Sequence, residues 1–220
     1  MIPSFTKFGR GNPIRGRIKW GVDMKKKKKW LSLCALIGML SVVLSLSASA
    51  DYYYTLDRGV LTDVQQAKSN WCWAACAEMA GHYVYPQTDK SQWAVVRYFK
   101  GTATEDYPNV GGDSSDMERA VEYVANNTVD YSVVTAALRC SQIYNEVVVD
   151  DKAIVASMQP SSGTGHAILV YGIRYACGVD YVRYIDPWDA MPRMVKYSEL
   201  IDGTVPSLTD LKWDQSVYER

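Results

Sequence analysis

The chain has 220 residues, and its 24 Lys+Arg balance its 24 Asp+Glu, so the formal net charge is zero. That balance is uneven: residues 51–220 hold 14 basic and 23 acidic side chains, a net of −9. An acidic body of this kind excludes a general nucleic-acid-binding design and suits a soluble exported protein. No cofactor and no metal site is expected, and the chain is expected to act as a monomer.

Residues 1–23 lack apolar periodicity and precede a second methionine, so they read as an upstream start chosen in error. Met24 is followed by Lys25 to Lys29, the apolar run Trp30 to Leu46, and Ser47-Ala48-Ser49-Ala50. Basic, hydrophobic and small-residue regions in that order make 24–50 a secretory signal peptide with cleavage after Ala50. The alternative is an uncleaved membrane anchor, for which the run is at the short end. Cys34 follows Leu33 where lipid attachment wants a small residue. An exported location leaves Cys72, Cys76, Cys140 and Cys177 in an oxidising compartment. If one bridge forms, Cys140–Cys177 is the first pair to test, and three connectivities stay open on paper.

Residues 51–220 show no internal repeat and read as one domain. Asp51 to Val64 is an extended lead-in, and with about twenty residues before Cys72 it leaves almost no room for an inhibitory pro-segment. Gln66-Ala-Lys-Ser-Asn-Trp-Cys72-Trp-Ala-Ala-Cys76 then opens the first helix. Ser69 and Asn70 are good N-cap residues and the alanines favour helix, so the spacing predicts a helix from about Trp71 to Met79 or Ala80, stopped by Gly81. Cys72 then sits among the free first-turn N–H groups, whose dipole favours a thiolate. The Cys72 amide and the Gln66 side chain can both point at an oxyanion.

Ser91 to Gly101 reads as a second helix, with Ser91 as cap and Gly101 as terminator. Ser115 and Glu118 form a capping box for a third, with Met117, Ala120, Val121 and Val124 on its buried stripe. Between them Pro108-Asn-Val-Gly111-Gly112 is a turn in which two glycines allow another chain to approach closely. Gln142 to Val149 predicts a short helix buried through Ile143 and Val147. Strands follow at Ala153–Met158, His166–Tyr175, Asp180–Asp186 and, more weakly, Met194–Tyr197, with a Cys177-Gly178 turn joining the middle pair. Helices first and an antiparallel sheet second is an α+β arrangement.

A thiol nucleophile needs an imidazole, and there are only two histidines. His82 lies ten residues beyond Cys72, roughly 15 Å at the helical rise. His166 is left, preceded by the loop Pro160 to Gly165 and open to the reading of a hydrogen-bonded surface histidine. Asp186, in Tyr184-Ile-Asp-Pro-Trp188, can orient the ring from the next strand; the plain reading is a hairpin-closing Asp-Pro turn. Trp188 can cover the Asp–His hydrogen bond.

Gln66-x5-Cys72-Trp73, Gly165-His166-Ala167 and Asp186-Pro187-Trp188 resemble the active-site motifs of papain-like cysteine proteases, most closely their compact bacterial members. The resemblance implies a helical half and a sheet half with the active site in the cleft between them. It further implies a Cys72–His166–Asp186 triad, Gln66 at the oxyanion, and Gly111, Gly112 and Trp73 at the substrate. The chain departs from plant papains in its small size, its missing pro-segment and its aspartate at 186. The function expected is that of a secreted cysteine endopeptidase acting on proteins or peptides. Two alternatives use the same residues differently: acyl transfer to an amine, as in transglutaminases, and a catalytically silent surface-binding domain that exploits the 16 tyrosines.

Overall fold

The computed structural model describes residues 51–101 and 106–220, so the expected upstream segment and signal peptide lie outside the described residues. The chain runs β1 (Tyr52–Thr55), α1 (Cys72–Val84), α2 (Gln92–Lys100), α3 (Ser114–Val124), β2 (Tyr131–Val134) and α4 (Cys140–Tyr144). A π-helical turn (Asn145–Val149), β3 (Ile154–Pro160), β4 (His166–Ala176), β5 (Val179–Asp186), β6 (Met191–Lys196), α5 (Tyr197–Asp202) and β7 (Leu211–Glu219) complete it. The strands form one sheet in the order β2-β7-β3-β4-β5-β6, with β1 pairing to the far half of β4. Every pairing is antiparallel. The α+β arrangement is thus the one expected, helices first and sheet second. No helix among the described residues is long and apolar enough to cross a membrane.

Helix α1 is the centre of the helical half, with Trp73 to Ala77 and Met79 to Gly81 all buried. Its alanines keep it thin enough to touch both α3 and β4. Two details differ from expectation. The helix does not stop at Gly81 but runs on to Val84, and a Cβ built on Gly81 would lie 2.5 Å from Val124 Cβ in α3. Gly81 is therefore the crossing point of two helices, a packing role that sequence alone cannot separate from a stop signal. Gly81→Ala is expected to cost about 1–3 kcal/mol through overpacking, against the roughly 1 kcal/mol alanine gains in a helix interior. Urea unfolding would show a lower midpoint at unchanged slope; a raised midpoint would mean that α3 yields freely.

The second difference concerns caps. The N-cap of α1 is Trp71, with no side-chain cap bond. On α3 the box is Asp113 with Asp116, two residues earlier than the expected Ser115–Glu118, because an aspartate at 116 accepts the Asp113 N–H that a longer glutamate would otherwise reach for. The buried stripe Met117, Ala120, Val121 and Val124 is as the period required. Strands β2 and β7 were not apparent in the sequence. In β7 the alternation breaks at Asp214, where a bulge opposite Ser157/Met158 shifts the phase so that Trp213, Ser216 and Val217 are buried.

Cysteines 72, 76, 140 and 177 are all free thiols. The Cys140–Cys177 pairing is therefore absent: Cys140 is half-buried near Asp180, and Cys177 stands exposed in the turn between β4 and β5. That turn has positive φ at both Cys177 and Gly178, as a tight two-residue hairpin requires.

Candidate active site

Cys72 is the first residue of α1, so its backbone N–H belongs to the first-turn donors that have no intrahelical acceptor. Ser69 and Asn70, expected to cap the helix, instead reach sideways to Asn109. Asn70 N donates to Asn109 Oδ1 at 3.0 Å, Asn70 Nδ2 to Asn109 O at 2.9 Å, and Asn109 Nδ2 to Ser69 Oγ at 2.9 Å. The indole N–H groups of Trp71 and Trp73 donate to Pro108 O and Val110 O. Residues 69–73 are thus tied to residues 108–110, the segment that leads into the Gly111-Gly112 turn.

Trp73, expected at the substrate, is fully buried. Its ring lies behind the turn, where a Cβ on Gly112 would come within 2.4 Å of Trp73 Cδ2. Its role is to support the turn from beneath, which fixes glycine at 112. A Cβ on Gly111 would meet nothing within 4 Å among the described residues.

His166 starts β4 and Asp186 ends β5, so the antiparallel hairpin brings the two to one end of the sheet. Whether they share a face depends on phase. From Val179 to Arg183 the strands pair in one register, but Tyr171 is bulged out of β4 and the pairing becomes Val170 with Tyr184 and Leu169 with Ile185. Continued one step, this register sets Ile168 opposite Asp186 and makes His166 a diagonal neighbour on the same face. Without the bulge, Asp186 would point to the other side of the sheet. His166 Nε2 donates to Asp186 Oδ1 at 2.8 Å, and the same oxygen accepts the Trp188 backbone N–H at 3.0 Å.

Burial works against a charged imidazole here, but hydrogen bonds to Asp186 and Cys72, and the charges on both, outweigh it and lift His166 to about 9. The ring lies between a sulfur on one side and a carboxylate on the other, and both favour its protonated form. Such a pair can hold a thiolate ready for attack and return a proton to a departing amine. The other thiols are set apart: burial pushes Cys76 well up, and burial together with Asp180 pushes Cys140 up to about 12. His82 is occupied elsewhere, its Nε2 3.1 Å from Lys90 O.

Cys72, His166, Gly111, Gly112 and Trp188 line a common cleft of about 270 Å³, whose far wall is Ser157, Gln159 and Thr164. Trp188 is 60% exposed. It also lines a side cavity with His166, Asp186 and Arg193, while Asp186 itself is buried.

Gln66 does not line the cleft. Its buried side chain lies within the Gln65–Ser69 loop, Nε2 donating to Lys68 O at 3.0 Å and Ser69 O at 2.9 Å, while Oε1 has no hydrogen-bond partner among the described residues. Asn109 and Gln92 are the positioning residues that the sequence did not disclose. Gln92 accepts from Ala67 N at 2.8 Å and donates to Gln65 O at 2.9 Å, clamping the loop from α2. An Asn in a Pro-Asn turn and a Gln at a helix start carry no signal of such contacts.

A family model described as papain-like cysteine protease AvrRpt2 matches residues 55–201. No curated protein matches the chain. Among solved structures, the digestive procathepsin L2 proteinase from Tenebrio molitor larval midgut is similar at 15% identity and a TM-score of 0.49, over 80% of this chain and 70% of that one.

Proposed function

The chain belongs to the papain-like cysteine protease AvrRpt2 family and is a cysteine peptidase acting on protein substrates, and from that premise we propose that Cys72, His166 and Asp186 are its catalytic triad. The observation that carries the proposal is the His166 ring, bonded through Nε2 to Asp186 Oδ1 at 2.8 Å and lining the same cleft as Cys72, whose nearby sulfur helps to raise the imidazole's pKa. The sulfur attacks the scissile carbonyl carbon, forming a C–S bond and an oxyanion. His166 gives its proton to the leaving nitrogen as the C–N bond breaks, then takes one from the water that releases the acyl group. The Cys72 amide is the oxyanion donor, joined by Gln66 where its Nε2 exchanges a loop carbonyl for the oxyanion, and Gly111 and Gly112 offer backbone to an extended substrate. The support for export is the order of basic, apolar and small residues in 24–50; the protein then works outside the cell as a monomer, and N-terminal sequencing of secreted material should begin at Asp51.

Incubating the full chain, in reductant, with an unfolded protein and a labelled amine tests the reaction. Cleavage without amine incorporation is expected; incorporation would make the protein an acyl transferase, and neither product from folded material would leave a binding domain.

The role of Asp186 gives a graded test. An amide oxygen at 186 can accept the same two N–H groups, so Asp186→Asn should keep activity within about tenfold. Asp186→Ala removes a charge-assisted hydrogen bond of about 1.5–3 kcal/mol, roughly ten- to a hundredfold in rate. Both should move the alkaline limb of kcat/KM, near 9 in the parent, to lower pH, because Asp186 helps hold the imidazolium. The folded-state value lies above the roughly 6.5 of a free imidazole, so the folded protein binds that proton more tightly. The stability it contributes is full below about 6.5 and is lost as pH rises through 9. An alkaline limb unmoved in Asp186→Ala would refute the assignment.

A further inference from the structure

At the opposite end of β4 from His166 lies a second cavity, of about 670 Å³, lined by Tyr52, Tyr54, Tyr144 and Tyr175 with Cys140, Asn145 and Asp180. It shares no lining residue with the cleft, and the nine residue-to-residue steps from His166 to Tyr175 along one strand separate the two by roughly 30 Å. We propose that these four tyrosines, with the Asp180 carboxylate among them, form a binding site for an organic ammonium cation.

The sheet builds most of the site. Tyr52 of β1 pairs with Tyr175 of β4, and Tyr175 pairs with Asp180 of β5, so three cross-strand neighbours stand in a row on one face. Tyr54, two residues along β1, shares that face. Tyr52 and Tyr175 stack with centroids 5.5 Å apart. Tyr144 meets Tyr52 and Tyr54 edge-on, at 6.1 and 5.5 Å. Tyr144 comes from the junction of α4 with the π-helical turn, an interruption that proteins keep mostly at functional sites. Cys140 and Asp180 line the cavity together, which sets the carboxylate beside the rings.

Two observations separate this cluster from ordinary aromatic packing. First, the rings surround open space: Tyr54 is 39% exposed. Second, this protein does place cations over tyrosine faces, at Tyr53, Tyr123 and Tyr171, but among the described residues leaves these four rings without one. Lys90 sits over Tyr123, Arg58 over Tyr171, and Arg183 over both Tyr171 and Tyr53, the last on the opposite face of β1. Among the described residues no Lys or Arg stands over Tyr52, Tyr54, Tyr144 or Tyr175, and no ion pair includes Asp180. Ring faces of negative potential around one carboxylate are what an alkylated ammonium group selects.

The full chain should be titrated with choline, its neutral isostere 3,3-dimethylbutan-1-ol, and Nα-acetyl-lysine amide, following ligand protons by NMR. Saturable binding with an upfield ring-current shift of the choline methyls is expected, at least roughly tenfold tighter than for the isostere. Tighter binding of choline than of the lysine amide would identify a free quaternary ammonium ligand; the reverse would identify a peptide side chain. Asp180→Asn and the exposed Tyr54→Leu should each weaken binding by about tenfold and leave peptide hydrolysis unchanged, which also reports an intact fold. Equal binding of choline and its isostere, no saturable binding of either cation, or undiminished binding by Asp180→Asn overturns the site.

Discussion

His166→Ala is expected to lower kcat/KM by roughly 10³- to 10⁴-fold, the largest loss from any single change in the cleft other than removal of the sulfur. Two functions go together. The imidazolium that faces the Cys72 sulfur is lost, and an unassisted thiol is mostly protonated near neutral pH. The proton donor for the leaving amine is lost as well, so acylation fails even for the thiolate that remains. The variant should still fold, because His166 is only the first residue of β4 and its strand pairing to Met158 uses backbone alone. Alkylation by iodoacetamide at mildly acidic pH gives a second readout. In the parent Cys72 should react ahead of exposed Cys177, and in His166→Ala that preference should disappear. A variant that kept both turnover and preferential alkylation would require a different base, for which His82, bonded to Lys90 O on the far turn of α1, offers no geometry.

How much of this could be read in the sequence follows from the range of each interaction. The α3 stripe and the tight turn at Cys177-Gly178 are local patterns, visible to within two residues. Pairing His166 with Asp186 needed only the idea of a hairpin, since a strand start and the next strand's end must meet. The phase that puts both on one face was invisible, because it depends on one bulged tyrosine whose displacement is decided by packing on both sides of β4. Ser69 and Asn70 look like caps because cap propensity is local, whereas their partner Asn109 lies some forty residues away. Gly81 and Trp73 carried strong local readings, as a stop and as a substrate contact, and in each case a tertiary neighbour decided otherwise. Val124 needs the space beside Gly81, and Gly112 needs the ring of Trp73 behind it.

That contrast bears most on Gln66, the residue whose local reading and observed contacts diverge furthest. Removing one side-chain donor from an oxyanion hole costs about 10²–10³ in kcat, and this loss is expected for Gln66→Ala. To act so, Nε2 must exchange one of its two loop carbonyls, Lys68 O or Ser69 O, for the oxyanion. The exchange favours the transition state, since a carbonyl oxygen carries a partial charge where an oxyanion carries a developing full one. The bound substrate would then gain little from Gln66, and kcat should fall with KM nearly constant. A purely structural role predicts another pattern. The loop has further anchors in Gln66 N to Pro187 O at 2.7 Å, Ala67 N to Gln92 Oε1 at 2.8 Å and Asn70 N to Asn109 Oδ1 at 3.0 Å. Loss of the Gln66 amide should therefore lower the melting temperature by a few degrees at most, roughly the effect of one or two ordinary hydrogen bonds. If kcat stays within a few-fold while the melting temperature falls, Gln66 is a loop clamp and the Cys72 amide holds the oxyanion without it. If kcat falls a hundredfold or more at nearly constant melting temperature, the amide reaches the oxyanion during turnover.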